Sequence, residues 1–201
     1  GNRPISGQTS ATVLWHANKR TRLFHCKGPL VMESFVAVLM GSDSDLSTVQ
    51  HTLDTLDQLE IPWEVKITSA HRTPEDTRHF VNDAEQRGCA VFIAAAGLAA
   101  HLAGAVAALT VRPVIGIPID SGPLGGQDAL LSTVQMPGGI PVACVAIGKP
   151  GATNAGWLAA QILAISNPEL EQRLQQARQS NAESVRDKNR ALQIKLGRDP
   201  C

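Results

Sequence analysis

From Phe35 onward, short apolar runs alternate with stretches of helical periodicity, and this alternation limits the possible folds more than any other feature. The run FVAVLM (Phe35–Met40) is apolar without interruption, as expected of a strand covered on both faces. LSTVQHTLDTLDQLE follows, with Leu46, Val49, Leu53, Leu56 and Leu59 at helical spacing. CAVFIAAAG, RPVIGIPI and IPVACVAIG repeat the first kind of run; LAAHLAGAVAAL, DALLSTVQM and GATNAGWLAAQILAI repeat the second. WEVKIT differs: Trp63, Val65 and Ile67 point inward while Glu64 and Lys66 point outward, which places that strand near a sheet edge. Connections long enough to hold a helix imply parallel pairing and right-handed crossovers. The expected class is α/β, a three-layer αβα sandwich on a parallel sheet of about five strands.

Local punctuation agrees with that pattern. Thr73 reads as a helix N-cap with Pro74 in the first helical position and Glu75 and Asp76 in the first turn, and Gly88 as the stop. Asn167 and Pro168 open a long polar C-terminal helix reaching about Leu192. Its apolar positions, Leu170, Leu174, Ala177 and Val185, form only a thin stripe, suited to docking on a neighbour or to loose packing on the body.

Bulk properties remove several function classes. At 201 residues the chain has enough length for one substantial core. The formal net charge is zero, so no global field favours nucleic acid or an anionic membrane. Aromatics make up 3% with no tyrosine, too few to build a stacking platform for single-stranded nucleic acid. No window reaches the ~18 uninterrupted apolar residues of a membrane span. Residues 1–32 hold five Lys or Arg and no acid, the chain starts with Gly, and Met32 lies just before the first strand. Residues 1–34 are therefore read as an N-terminal extension or expression remnant, and 35–201 as a single domain. Cys26, Cys89, Cys144 and Cys201 are far apart with no C-x-x-C spacing, which points to neither zinc nor a disulfide framework. Cys89 and Cys144 lie in apolar runs and read as buried thiols, with a reducing, cytoplasmic compartment as the default.

In an open α/β sheet, ligands gather at the carboxyl ends of the strands. Three loops there carry candidate chemistry. GSDSD (Gly41–Asp45) offers the hydroxyls of Ser42 and Ser44 beside a helix start, suited to phosphate or ribose, and Asp45 could accept two sugar hydroxyls. The same residues could equally be a plain Ser/Asp helix cap. TSAHRTPED places Arg72 at a helix mouth, unfavourable for the helix dipole unless it meets an anion such as phosphate. His71 beside it can give and take a proton near neutral pH, or simply be satisfied by a carbonyl. AAAGLAAHLAG brings Gly97, whose amides could hold a carboxylate, and His101 one helical turn on. A Walker loop, a dinucleotide fingerprint and a Ser nucleophile elbow are all missing. The histidines show no metal-ligand spacing, so no metal is expected.

MGSDSD, SAHRTP, AGLAAHLAG, PVIGIPI, LLSTVQMPGGIPVACVAIG and GATNAGWLAAQIL, in this order and spacing, resemble the bacterial-type N5-carboxyaminoimidazole ribonucleotide mutase family of purine (IMP) biosynthesis. The resemblance covers nearly everything after Phe35. It implies a flavodoxin-like fold, an octamer, and isomerisation of N5-carboxyaminoimidazole ribonucleotide to 4-carboxyaminoimidazole ribonucleotide with no cofactor. By motif position it makes His71 the general acid and base. Ser42, Ser44, Asp45, Ser69 and Arg72 would hold the ribose and phosphate, with Gly97, His101 and Leu102 around the migrating carboxylate. It further implies that Gln135–Pro137 reaches a neighbouring subunit's site. The family usually has Gly where Leu98 stands, Pro where Ala103 stands and Ser where Ala129 stands. Three other readings remain: a CO2-dependent aminoimidazole ribonucleotide carboxylase, a non-catalytic nucleotide-binding module of the same fold, and an oxidoreductase-type flavodoxin-like protein. SAHRTP and AAHL favour the mutase branch over the carboxylase.

Overall fold

The computed structural model describes residues 34–198. The reading of residues 1–34 as an extension, and the thiols of Cys26 and Cys201, therefore lie outside the described residues, Ser34 excepted. Five parallel strands, β1 (Phe35–Met40), β2 (Trp63–Ile67), β3 (Cys89–Ala96), β4 (Val114–Pro118) and β5 (Ala143–Cys144), pair in the order β2-β1-β3-β4-β5. The chain steps from β1 outward to β2, then returns past β1 to β3, so the strand order reverses between β1 and β3.

Alternating residues of the central strands feed two cores. Val36, Val38, Met40, Val91, Ile93, Ile115 and Ile117 face one side, against α1 (Leu46–Gln58), α5 (Gly148–Ala164) and the start of α6 (Pro168–Lys195). Phe35, Ala37, Leu39, Phe92, Ala94 and Val114 face the other, against α2 (Pro74–Gln86) and α3 (Leu102–Ala107). Both faces of β1, β3 and β4 are buried, which is why their sequences are apolar without alternation. Small residues allow close helix packing. The Thr52 hydroxyl donates to the Ala152 carbonyl at 2.7 Å, and a methyl on Gly156 would fall 2.8 Å from Thr55 Cβ.

The edge position expected for β2 is confirmed, but its two faces are less distinct than the alternation implies. Ile67 is 51% exposed, while Glu64 is half-buried in a fork with Arg87, whose guanidinium also lies 5.2 Å over the Phe35 ring. Leu46 is exposed rather than buried, because it opens α1 before the helix has settled onto the sheet. β5 contracts to two paired residues: Ile140–Val142 and Val145–Ile147 run as loop, with Val145 still donating to the Gly116 carbonyl, and Gly148 already opens α5. α3 begins at Leu102 and spans six residues, so the preceding LAAH is turn. α4 (Gln127–Val134) follows a glycine pair in left-handed conformation.

The Asn167 cap forms as expected, its side chain accepting from the Leu170 amide at 3.0 Å. Leu170 and Leu174 are buried and Ala177 is half-buried, but Val185 is 65% exposed, and no described residue of α6 beyond Ala177 is buried. The turn before β4, at the amino end of the sheet, leaves Val111 96% exposed. Burial pushes the Cys89 thiol up to about 11, consistent with a packing role, and the half-buried Cys144 thiol is raised for the same reason.

Candidate active site

The carboxyl ends of β1, β2, β3 and β4 carry four loops, and contacts join each loop to the next. After β1, Ser42 starts a single 3-10 turn (Asp43–Asp45) with a capping box: its hydroxyl accepts from the Ser44 amide while Asp45 Oδ2 accepts from the Ser42 amide at 3.1 Å. The Ser44 hydroxyl donates to the Ser42 oxygen at 2.9 Å. The plain cap reading of this loop is thus realised, and two hydroxyls and a carboxylate are ordered by it. Asp45 is only 7% exposed, and burial raises its pKa above the ordinary aspartate range despite hydrogen bonds that pull the other way.

After β2, a small hydroxyl cluster ties down the loop. Thr68 Oγ1 lies 2.8 Å from Thr77 Oγ1 and 3.1 Å from Thr73 Oγ1. Thr73 makes no side-chain cap to α2; its oxygen accepts from the Ser69 amide at 2.9 Å, closing residues 69–73 into a tight loop. His71 sits exposed at the tip. Arg72 folds back, its amide donating to Ser69 Oγ at 3.2 Å and its guanidinium to the Gly41 carbonyl at 3.4 Å. That contact joins the first two loops.

After β3, Leu98 adopts a left-handed backbone (φ 55°), and two tight turns follow, Ala100 N to Leu98 O and His101 N to Ala99 O, each 2.8 Å. His101 caps α3 rather than lying one turn inside a helix. Its imidazole comes to 5.3 Å from that of His71, centroid to centroid, at 39° between planes. Among the described residues neither ring has a hydrogen-bond partner, so the carbonyl-satisfied reading of His71 is not realised. Leu102 has its side chain in the core at 2% exposure, leaving only its main chain for a ligand. Met136 of the Gln135–Pro137 turn lies against α3 of its own chain, its sulfur 3.3 Å from where a methyl on Gly104 would sit.

The fourth loop contributes a residue that sequence reasoning missed. A methyl built on Gly97 would fall 1.8 Å from Ser121 Oγ, so that hydroxyl rests on the Gly97 backbone. Ser121 follows the paired end of β4, where the Ile119 amide donates to the Ala96 carbonyl at 2.9 Å. The available signal was its place just past a strand's carboxyl end.

A hollow of about 410 Å³ lies elsewhere, between α5 and α6, lined by Asn154, Trp157, Leu158 and Arg178. It lacks the paired proton carriers of the strand ends, so the chemistry favours the latter. Among the described residues no three His, Cys, Asp or Glu side chains cluster to hold a metal.

The family model described as AIR carboxylase matches residues 35–184. The N5-carboxyaminoimidazole ribonucleotide mutase of Pseudomonas aeruginosa is 53% identical over 156 residues, 78% of this chain and 96% of that protein. The mutase of Bacillus subtilis is 50% identical over 154 residues, 77% and 95% respectively. The crystal structure of Treponema denticola PurE superposes with a TM-score of 0.72 at 28% identity, covering 79% of this chain and 98% of that one. With most of its length matched in sequence and in structure, this chain belongs to the AIR carboxylase family.

Proposed function

We propose that the chain isomerises N5-carboxyaminoimidazole ribonucleotide to 4-carboxyaminoimidazole ribonucleotide in purine biosynthesis. The observation that carries this reading is the pair of unpartnered imidazoles at the β1/β3 crevice, in a chain about half identical to proteins named for that reaction. His71 protonates the carbamate nitrogen; the N–C bond breaks and releases CO2 and aminoimidazole ribonucleotide side by side. C4 of the imidazole attacks the CO2, forming the new C–C bond, and His71 removes the C4 proton. The proton given equals the proton taken, so the histidine ends as it began.

Around it, Arg72 with Ser69 and Ser44 takes the phosphate, and Asp45 with Ser42 takes the ribose hydroxyls. His101 and the main chain at Gly97 and Leu102 border the migrating carboxylate. The reading includes residues 35–201 as one domain, a cytoplasmic homo-octamer, and a Gln135–Pro137 turn that also reaches a neighbour's site. The apolar residues left exposed on α6, Val185, Leu192 and Ile194, support a subunit contact.

The deciding experiment is turnover of N5-carboxyaminoimidazole ribonucleotide at low bicarbonate, wild type beside His71→Asn. The wild type is expected to convert it and the variant to lose about 10²–10⁴ in kcat while still binding the ribonucleotide. Activity on aminoimidazole ribonucleotide that needs high bicarbonate would make the chain a carboxylase instead. Binding without conversion by wild type would make it a non-catalytic module.

A further inference from the structure

We infer that Ser121 contacts the substrate, donating its hydroxyl to the carboxylate as it moves between nitrogen and carbon. The inference rests on the mutase reading and adds a residue to it. Ser121 Oγ lies on Gly97, close enough that a methyl there would be 1.8 Å away. Gly97 is not in a left-handed conformation, so the backbone does not itself demand glycine; the hydroxyl above it does. Ser121 is half-buried, and its hydroxyl has no hydrogen-bond partner among the described residues. A serine oxygen held in place yet unpaired, at the carboxyl end of the strand next to the His101 loop, is a donor waiting for an acceptor.

A second contact holds it there. A methyl on Gly122 would fall 2.5 Å from Leu98 Cδ2, so the Leu98 side chain covers Gly122 while Gly97 sits under Ser121. Neighbouring residues of one loop thus interlock with neighbouring residues of the other. Leu98 keeps a left-handed backbone in doing so, and Gly122 (φ 81°) has neither the Cβ nor the backbone to object. The two loops can therefore act as one wall beside the imidazoles. CO2 carries no charge and few handles, whereas each carboxylate form accepts a hydrogen bond strongly. A donor in this wall favours capture at C4 over escape.

The test is the ratio of aminoimidazole ribonucleotide released to 4-carboxyaminoimidazole ribonucleotide formed, measured for wild type, Ser121→Ala, Ser121→Cys and Gly97→Ala. Cysteine keeps a somewhat larger polar group over Gly97 that donates only weakly, and alanine at 97 displaces the hydroxyl without changing residue 121. All three are expected to raise the ratio about 10-fold or more, as loss of a hydrogen bond to a charged group implies. For the two Ser121 variants, melting temperature and affinity for aminoimidazole ribonucleotide should stay at the wild-type values. A wild-type ratio in Ser121→Ala, or full rescue by cysteine, overturns the inference and leaves the mutase reading standing. A wild type that forms no 4-carboxyaminoimidazole ribonucleotide overturns both.

Discussion

Leu98 occupies a backbone conformation that costs an L-residue about 1–2 kcal/mol. The residue is 53% exposed, and its side chain packs over Gly122, which recovers part of that cost. Leu98→Ala keeps the strain and loses the contact; Leu98→Gly loses both. Chemical denaturation should therefore find the glycine variant about 1 kcal/mol more stable than the alanine variant. Asp45 behaves in the opposite sense to a salt-bridged carboxylate. Its folded pKa is raised by burial, so the fold binds that proton more tightly than the unfolded chain does. The residue consequently costs stability once pH rises past the ordinary aspartate range, and costs nothing in acid where both states are protonated. Asp45→Asn should melt higher than wild type at pH 7, with the difference shrinking to zero below the unfolded pKa. A gain that grows toward acid would contradict this. Among single residues, His71, Arg72 and His101 were legible because polar side chains after apolar strands stand out. Ser121 was not, since its partner Gly97 is a neighbour only through strand pairing.

Helix α5 shows how a local propensity can be overruled by an element's neighbour. Glycine inside a helix is a poor helix former, and Gly156→Ala on an isolated helix would gain about 1 kcal/mol. Here the added methyl meets Thr55 Cβ of α1 at 2.8 Å, and both helices are anchored by the buried Thr52–Ala152 hydrogen bond. The net effect should be destabilisation of about 1–2 kcal/mol, read as a lower urea midpoint with unchanged m-value. An increase in midpoint would show that α1 and α5 can separate freely. The central strands could be read from the chain because burial on both faces leaves a continuous apolar run. β5 was overdrawn because the same kind of run was read there: in IPVACVAIG, Ile140, Pro141, Ala143 and Ala146 are exposed, and only Ala143 and Cys144 pair with β4. The start of α3 was misplaced because alanines favour a helix, while the left-handed Leu98 turn that delays it depends on contacts from elsewhere.

At the scale of the whole molecule, strand order decides which loops meet, and no single loop carries that information. The reversal between β1 and β3 brings GSDSD, SAHRTP and AGLAAH to one crevice, and β4 adds Ser121 beside them. The far half of α6 has charge pairs along its own surface, Glu183 with Arg186 and Arg190, and exposed apolar residues with nothing described to cover them. If the proposed octamer forms, sedimentation should give a mass near eight times 21.3 kDa, and removing the chain beyond Ala177 should lower it. A monomeric mass at micromolar concentration would refute the assembly without touching the isomerase reading. Because a parallel sheet sends every candidate group to its carboxyl end, the amino end is left with connections only. The turn that carries Val111 is therefore the natural point for attaching a dye, a tether or an affinity handle, with the length of the strands separating the chemistry from whatever is hung there.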